Sequence, residues 1–359
     1  MISQRCFQKE WLEKIKTEKY REVDIALLER TIYAFELLGL FSQTKKDFIF
    51  KGGTALILLL PELKRLSIDI DILGKFDEKT YESVIADSVF TRYEIDKRVN
   101  KSIPKQHVKF FYNSHIDKKE KYILLDLLHE QNPYSSLNTK TIRSELFEVD
   151  KEITVKIPSI NDLLADKLTA FAPNTIGIQY GSDKSMEIIK QLFDISILFD
   201  SIDDLEKILS TYTKIYSQQN DYRGSKFTIE EVLKDSFIAA SKICMLDLKG
   251  SVEDNATEEL RTGIKSINNF LLSRNYNLSK AKISSAKVAL LSLLLLFKKM
   301  DFPISDLKFG QERLTSLKSF ELPKEFLSLN TLKKINVESF YYCSLITKIT
   351  NKYDWMNFG

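Results

Sequence analysis

The sequence predicts a mixed α/β region followed by an all-helical one. Three observations carry this expectation. Short segments with period-two alternation lie before Pro158, and long segments with helical periodicity fill almost everything after it. Seven prolines and eleven glycines in 359 residues leave room for much helix and short connections. A chain of this length exceeds a typical domain, so two are expected, residues 1–200 and 201–359, with the boundary near Ser201.

From about Phe7 to Leu40 the apolar residues Trp11, Ile15, Ile25, Leu28, Ile32, Phe35 and Leu38 recur at helical spacing, giving one or two helices. A strand, Asp47 to Phe50, runs into Gly52-Gly53-Thr54, and Ala55 to Leu60 reads as a helix stopped at Pro61. In a second strand, Ser67 to Leu73, Ile68, Ile70 and Ile72 alternate with Ser67, Asp69 and Asp71. Thr80 to Asp87 is helical. His107 to Tyr112 and Tyr122 to His129 are extended, and the polar link 113–121 joins them as a hairpin. A strand from Glu152 to Ile157 leads to Pro158. Helices then follow at 160–171, 183–199, 203–219, 228–248, 255–274, 279–300 and about 325–349. Trp11, Trp355 and the phenylalanines read as core or interface.

Composition narrows the class. The chain is 43% hydrophobic and 29% charged, ordinary for a folded protein, and its net charge of +3 permits a nucleic-acid substrate without demanding one. Cys6, Cys244 and Cys343 are scattered without CxxC spacing, so buried thiols in a reducing compartment are expected rather than disulfides or zinc. No apolar stretch follows Arg5, so no secretory leader is expected, and Val288 to Phe297 is too short to span a bilayer. The chain is read as cytoplasmic.

Chemistry concentrates in two places. Gly52 and Gly53 between a strand and a helix expose backbone N–H groups to an anionic phosphate, and the Thr54 hydroxyl can cap the helix or touch that phosphate. A simple tight turn is the alternative. On the second strand Asp69 and Asp71 share a face roughly 7 Å apart. Two such carboxylates repel, and a divalent cation with a preference for hard oxygen ligands relieves the repulsion. Asp126, in the apolar run Tyr122-Ile-Leu-Leu-Asp-Leu-Leu, is costly in a central strand unless paired with a base or bound to a cation. It is either a third carboxylate and general base, or the partner of some Arg or Lys.

Lys51-Gly-Gly-Thr-Ala-Leu followed by Arg65-Leu-Ser-Ile-Asp-Ile-Asp resembles the signature of the AbiEii/AbiGii toxin family of nucleotidyltransferases, GG[ST] after a strand and RxSxDxD on the next. The resemblance covers roughly residues 47 to 200. It implies a polymerase-β-like nucleotidyltransferase core, with Gly52, Gly53 and Thr54 facing the NTP phosphates beside Arg65 and Ser67. It also implies that Asp69 and Asp71 hold Mg²⁺, two ions in all, with Asp126 as third ligand. Lys167 falls inside the stripe Ile160, Leu163, Leu164, Leu168 and Phe171, where it needs an anion or must snorkel out; the family's lysine on this helix contacts the triphosphate. Ser159 and Asp162 have capping-box spacing at the start of that helix.

Glu187, Lys190, Gln191 and Asp194 share a polar stripe, where Lys190 and Asp194 at i,i+4 form an ordinary surface ion pair or, by resemblance to the family's last motif with Asp200 six residues on, belong to the nucleotide site. His107, His115 and His129 lack metal-ligand spacing and read as structural or surface residues. Lys280, Lys282, Lys298 and Lys299 could contact a nucleic acid, with solvated helix faces as the default reading. The expected function is transfer of a nucleoside monophosphate to an acceptor hydroxyl, the tRNA 3′ end by resemblance, in a toxin–antitoxin or abortive-infection system with a cognate antitoxin. A small-molecule, aminoglycoside-type nucleotidyltransferase and a non-catalytic partner-binding relic are the alternatives.

Overall fold

The computed structural model describes residues 1–96 and 104–350, so the expectation for Trp355 lies outside the described residues. By compactness the chain falls into two units, Met1–Ser159 with Asn268–Arg274, and Ile160–Ile267 with the residues from Asn275 onward. Whether 1–200 and 201–359 are autonomous domains is a separate proposal. A fragment of residues 1–200 lacks Asn268–Arg274, and its ability to fold alone is the test.

The first unit holds, in order, α1 (Lys9–Glu18), α2 (Ile25–Gln43), β1 (Phe48–Lys51), α3 (Gly52–Leu59), β2 (Ile70–Gly74), α4 (Glu78–Ile85), β3 (Arg92–Ile95), β4 (Lys105–Asn113), β5 (Glu120–Leu128), β6 (Leu137–Thr141) and β7 (Thr154–Pro158). The strands form a five-stranded sheet ordered β1-β2-β5-β4-β3, with β6 and β7 pairing separately. Only β2 and β5 run parallel; the other neighbours are antiparallel, so the sheet is mixed. One face of the sheet is core. Phe50, Ile70, Ile72, Val108, Phe110, Ile123, Leu125 and Leu127 are buried on it, together with Leu28, Ile32, Phe35 and Leu38 of α2. Period-two alternation on the strands and the 3.6-residue stripe of α2 thus bury the same cluster.

The hairpin of β4 and β5 forms as expected, but β3 and β6 were not anticipated: both are short and largely polar, as edge strands tend to be. The strand expected from Ser67 begins only at Ile70. Upstream, the Leu66 N–H donates to the Phe270 carbonyl and Arg65 bridges Leu271, so 67–69 carries the chain from one pairing partner to the next. That pairing also ends the helix expected at 255–274, whose last residues leave to join the first unit. β5 is the central strand, yet its second face is not apolar core: Leu124, Asp126 and Leu128 are half-buried and Tyr122 is exposed.

The second unit is helical: α5 (Ile160–Ala170), α6 (Ser185–Phe199), α7 (Leu205–Asp221), α8 (Ile229–Met245), α9 (Asn255–Ser266), α10 (Leu278–Leu296), α11 (Leu314–Ser319), α12 (Leu332–Ile335) and α13 (Val337–Thr350). The last expected helix is broken at Asn336, whose side-chain oxygen accepts from the Ser339 N–H and starts α13 anew. Lys282 is no solvated lysine: it is buried and donates to the Cys244 and Leu246 carbonyls at the end of α8. All three cysteines are buried and free. Among the described residues no helix is long and apolar enough to cross a membrane.

Candidate active site

β1 runs into α3 with no intervening residue, and Gly52 makes the corner with φ of +77°. That left-handed backbone favours glycine, and space demands it as well. A Cβ on Gly52 would stand 2.0 Å from Asp71 Oδ2, so the Asp71 carboxylate is seated against the bend. A Cβ on Gly53 would stand 2.5 Å from an Arg65 guanidinium nitrogen and 3.1 Å from Ser67 Oγ. The bend is therefore enclosed by Asp71, Arg65 and Ser67, which the sequence singled out from a different segment.

Thr54 is fully buried, and its hydroxyl donates to the Asp69 carbonyl at 2.6 Å rather than capping α3 or facing outward. It ties the start of the helix to the residue just before β2. Arg65 is also buried and donates to the Leu66 carbonyl at 3.1 Å.

Register extends the site across the sheet. Asp71 is the partner of Lys51 on β1 and of Asp126 on β5, and Asp126 is the partner of His107 on β4. Partners in register project to one face, so Lys51, Asp71, Asp126 and His107 form a transverse row on the more open side. Asp126 lies beside Asp71 and is paired with bases, the second alternative posed for it: Lys105 Nζ is 2.8 Å from Oδ2, and His107 Nδ1 contacts Oδ1. From sequence His107 was expected to be a structural or surface residue, and Lys105 was not singled out. A hairpin centred on 113–121 would set 107 opposite 127, on the other face; the observed register, with Asn113 opposite Glu120, sets it opposite 126 instead.

The remaining candidates lie in the second unit. Lys167, on the inward face of α5, finds its anion in Asp194 of α6 at 3.0 Å. Asp194 is fully buried rather than part of a surface stripe, while Lys190 reaches Glu187 at 2.9 Å. Asp162 is buried and accepts from the Thr211 hydroxyl. Asp200 turns to Lys287, whose Nζ lies 2.7 Å and 2.8 Å from its two oxygens. His129 is half-buried, and burial lowers its pKa, with Lys75 adding to the effect. Among the described residues no three or more His, Cys, Asp and Glu are gathered as a ready-made metal site, so the carboxylates that adjoin are the pair Asp71 and Asp126.

A family model, the nucleotidyl transferase AbiEii toxin of type IV toxin–antitoxin systems, matches residues 37–263. The chain belongs to the AbiEii nucleotidyltransferase toxin family. It is accordingly a nucleotidyltransferase, and the match spans both the glycine bend and the Lys167–Asp194 pair. Among solved structures, JHP933 from Helicobacter pylori is similar at a TM-score of 0.46 and 16% identity, over 76% of this chain and 94% of that one. An antigenic nucleotidyltransferase-like protein from Paracoccidioides brasiliensis gives 0.34 and 13%, over 54% and 93%. No curated protein matches.

Proposed function

We propose that this AbiEii member transfers a nucleoside monophosphate from an NTP to an acceptor hydroxyl at the RNA 3′ end, of tRNA in particular, and that a cognate antitoxin restrains it. The observation that supports this most is the Asp71 carboxylate seated on Gly52 with Asp126 as its register neighbour. Two carboxylates on adjoining strands are the hard-oxygen donor set a divalent cation prefers. Asp69, Asp71 and Asp126 would hold Mg²⁺, which when bound neutralises phosphate charge and lowers the pKa of the attacking hydroxyl.

The chain's own groups do the rest. Backbone N–H groups at the start of α3 receive the triphosphate, and the helix N-terminus favours its negative charge. Arg65 and Ser67 brace that bend from behind. As the hydroxyl oxygen bonds to the α-phosphorus, its proton passes to the Asp126 carboxylate and pyrophosphate departs with the electrons of the broken P–O bond. Lys167, Lys190 and Asp194 are proposed as a nucleotide-binding set on the family resemblance.

Purified protein incubated with each of four α-labelled NTPs, Mg²⁺ and total RNA should label a tRNA-sized band with one or two of the nucleotides. Label in a small-molecule acceptor and none in RNA would replace the acceptor class. No label anywhere, with EDTA and Mg²⁺ alike, would favour a binding protein that has lost catalysis.

A further inference from the structure

Asp71 and Asp126 face the same side of the sheet from neighbouring strands about 4.8 Å apart. Carboxylates so placed repel, and the same-face neighbours of Asp126 on β5, Leu124 and Leu128, offer no compensation. Lys51 on β1 stands in register beside Asp71, and for Asp126 the compensation comes from β4. Antiparallel pairing sets His107 directly opposite Asp126, with Lys105 two residues away on the same face. Lys105 Nζ approaches Oδ2 at 2.8 Å and His107 Nδ1 contacts Oδ1, so each carboxylate oxygen has its own donor. Held at both oxygens, the carboxylate cannot rotate about its χ2 torsion without breaking a contact. Its side chain is 14% exposed, against 35% for each partner, so the two partners screen it from solvent.

We infer that His107 and Lys105 are the positioning residues of Asp126, fixing its carboxylate beside Asp71 in the orientation that nucleotidyl transfer uses. The inference rests on Asp126 being the third carboxylate of the proposed site. The two contributions differ. Lys105 brings a mobile positive charge on a flexible stem, which offsets repulsion without setting a direction. His107 presents a ring nitrogen with one in-plane direction on a strand whose register is fixed, so it sets the angle. Loss of such an outer partner typically costs 10–100-fold in activity.

His107→Ala should therefore lower kcat by roughly 10–100-fold while KM for the NTP changes by no more than about twofold. His107→Asn, whose side-chain amide can stand where Nδ1 stands, should recover most of that loss. In an Asp126→Asn background, His107→Ala should cost nothing further, because the group it positions is already gone. A readout free of turnover is the ¹⁵N imidazole spectrum, where only His107, His115 and His129 contribute and His107→Asn assigns the signal. The His107 proton should sit on Nδ1 in the wild type and lose that preference in Asp126→Asn. Wild-type kinetics in His107→Ala, losses that multiply in the double variant, no recovery with asparagine, or a ring signal indifferent to Asp126 would each overturn the inference while wild-type transfer stands. A wild-type protein that transfers nothing overturns the underlying reading instead, and the role of Asp126 with it.

Discussion

Replacing Gly52 with alanine asks the structure's most specific question. Two costs arise. The backbone at φ of +77° burdens an L side chain with roughly 1–2 kcal/mol. The new Cβ would also lie 2.0, 2.6 and 2.9 Å from Oδ2, Cγ and Cβ of Asp71, where about 3.0 Å is the least that real contacts tolerate. The carboxylate must retreat by about 1 Å, and because the Asp71 Cβ is itself too close, a change of rotamer alone is not enough. Either β2 shifts or the corner opens. Overpacking of this kind costs a further ~1–3 kcal/mol. A reacting group displaced by about 1 Å loses roughly 100-fold in rate. Urea unfolding and labelled-NTP turnover on the same preparation separate the two effects. The expectation is a folded variant with lowered midpoint and kcat reduced about 100-fold or more. Gly53→Ala, which meets mainly the movable end of Arg65, should lose far less. A Gly52→Ala protein within about twofold of wild-type kcat would refute the claim that the bend and Asp71 work as one site.

Thr54→Val keeps the side-chain shape but strips the Asp69 carbonyl of its hydroxyl donor, so unfolding should cost about 1–3 kcal/mol less, with slower turnover; an unchanged urea midpoint would contradict it. Lys167→Met takes the Lys167 ammonium away from the fully buried Asp194 and should destabilise by about 3–5 kcal/mol, most of which Lys167→Met with Asp194→Leu recovers. Equal loss in single and double variants would show that the pair is not the cause. The Lys121 ammonium, with the Lys119 N–H helping, holds the Asp117 carboxyl at about 2 against an ordinary 3.8. Because the folded value is the lower one, its stabilisation is complete above 3.8 and fades as pH falls through about 2. Thermal midpoints of wild type and Asp117→Asn should differ near neutrality and converge in strong acid; a gap that widens in acid would reverse the sign.

Much of the first unit was legible because its signals are local. Isoleucines at 68, 70 and 72 announce a strand, of which Ile70 and Ile72 enter the core, and the stripe from Leu28 to Leu38 announces the helix that covers it. The glycine bend was legible for the same reason: no other residue type suits both its φ and its clearance from Asp71. Long-range pairing was not. Nothing near Arg65 says that Phe270 and Leu271 will pair there, so the strand start was placed too early and a distant helix was drawn too long. His107 was read as a structural or surface residue and Lys105 was not singled out, because each looks ordinary alone. Their meaning comes from register, which fixes what stands opposite Asp126. Asp194 was read either as half of a surface pair with Lys190 or as part of the nucleotide site, and helix spacing alone could not show that packing of α5 against α6 buries it beside Lys167.

The central claim is that Asp71, seated on the glycine bend, serves nucleotidyl transfer. Its most direct test is transfer from an α-labelled NTP to RNA by wild type, Asp69→Asn and Asp71→Asn, each first shown to unfold at the wild-type urea midpoint. The account expects labelled RNA and released pyrophosphate from wild type, and at least about a 100-fold loss in both variants. Folded variants that label RNA as fast as wild type would contradict it.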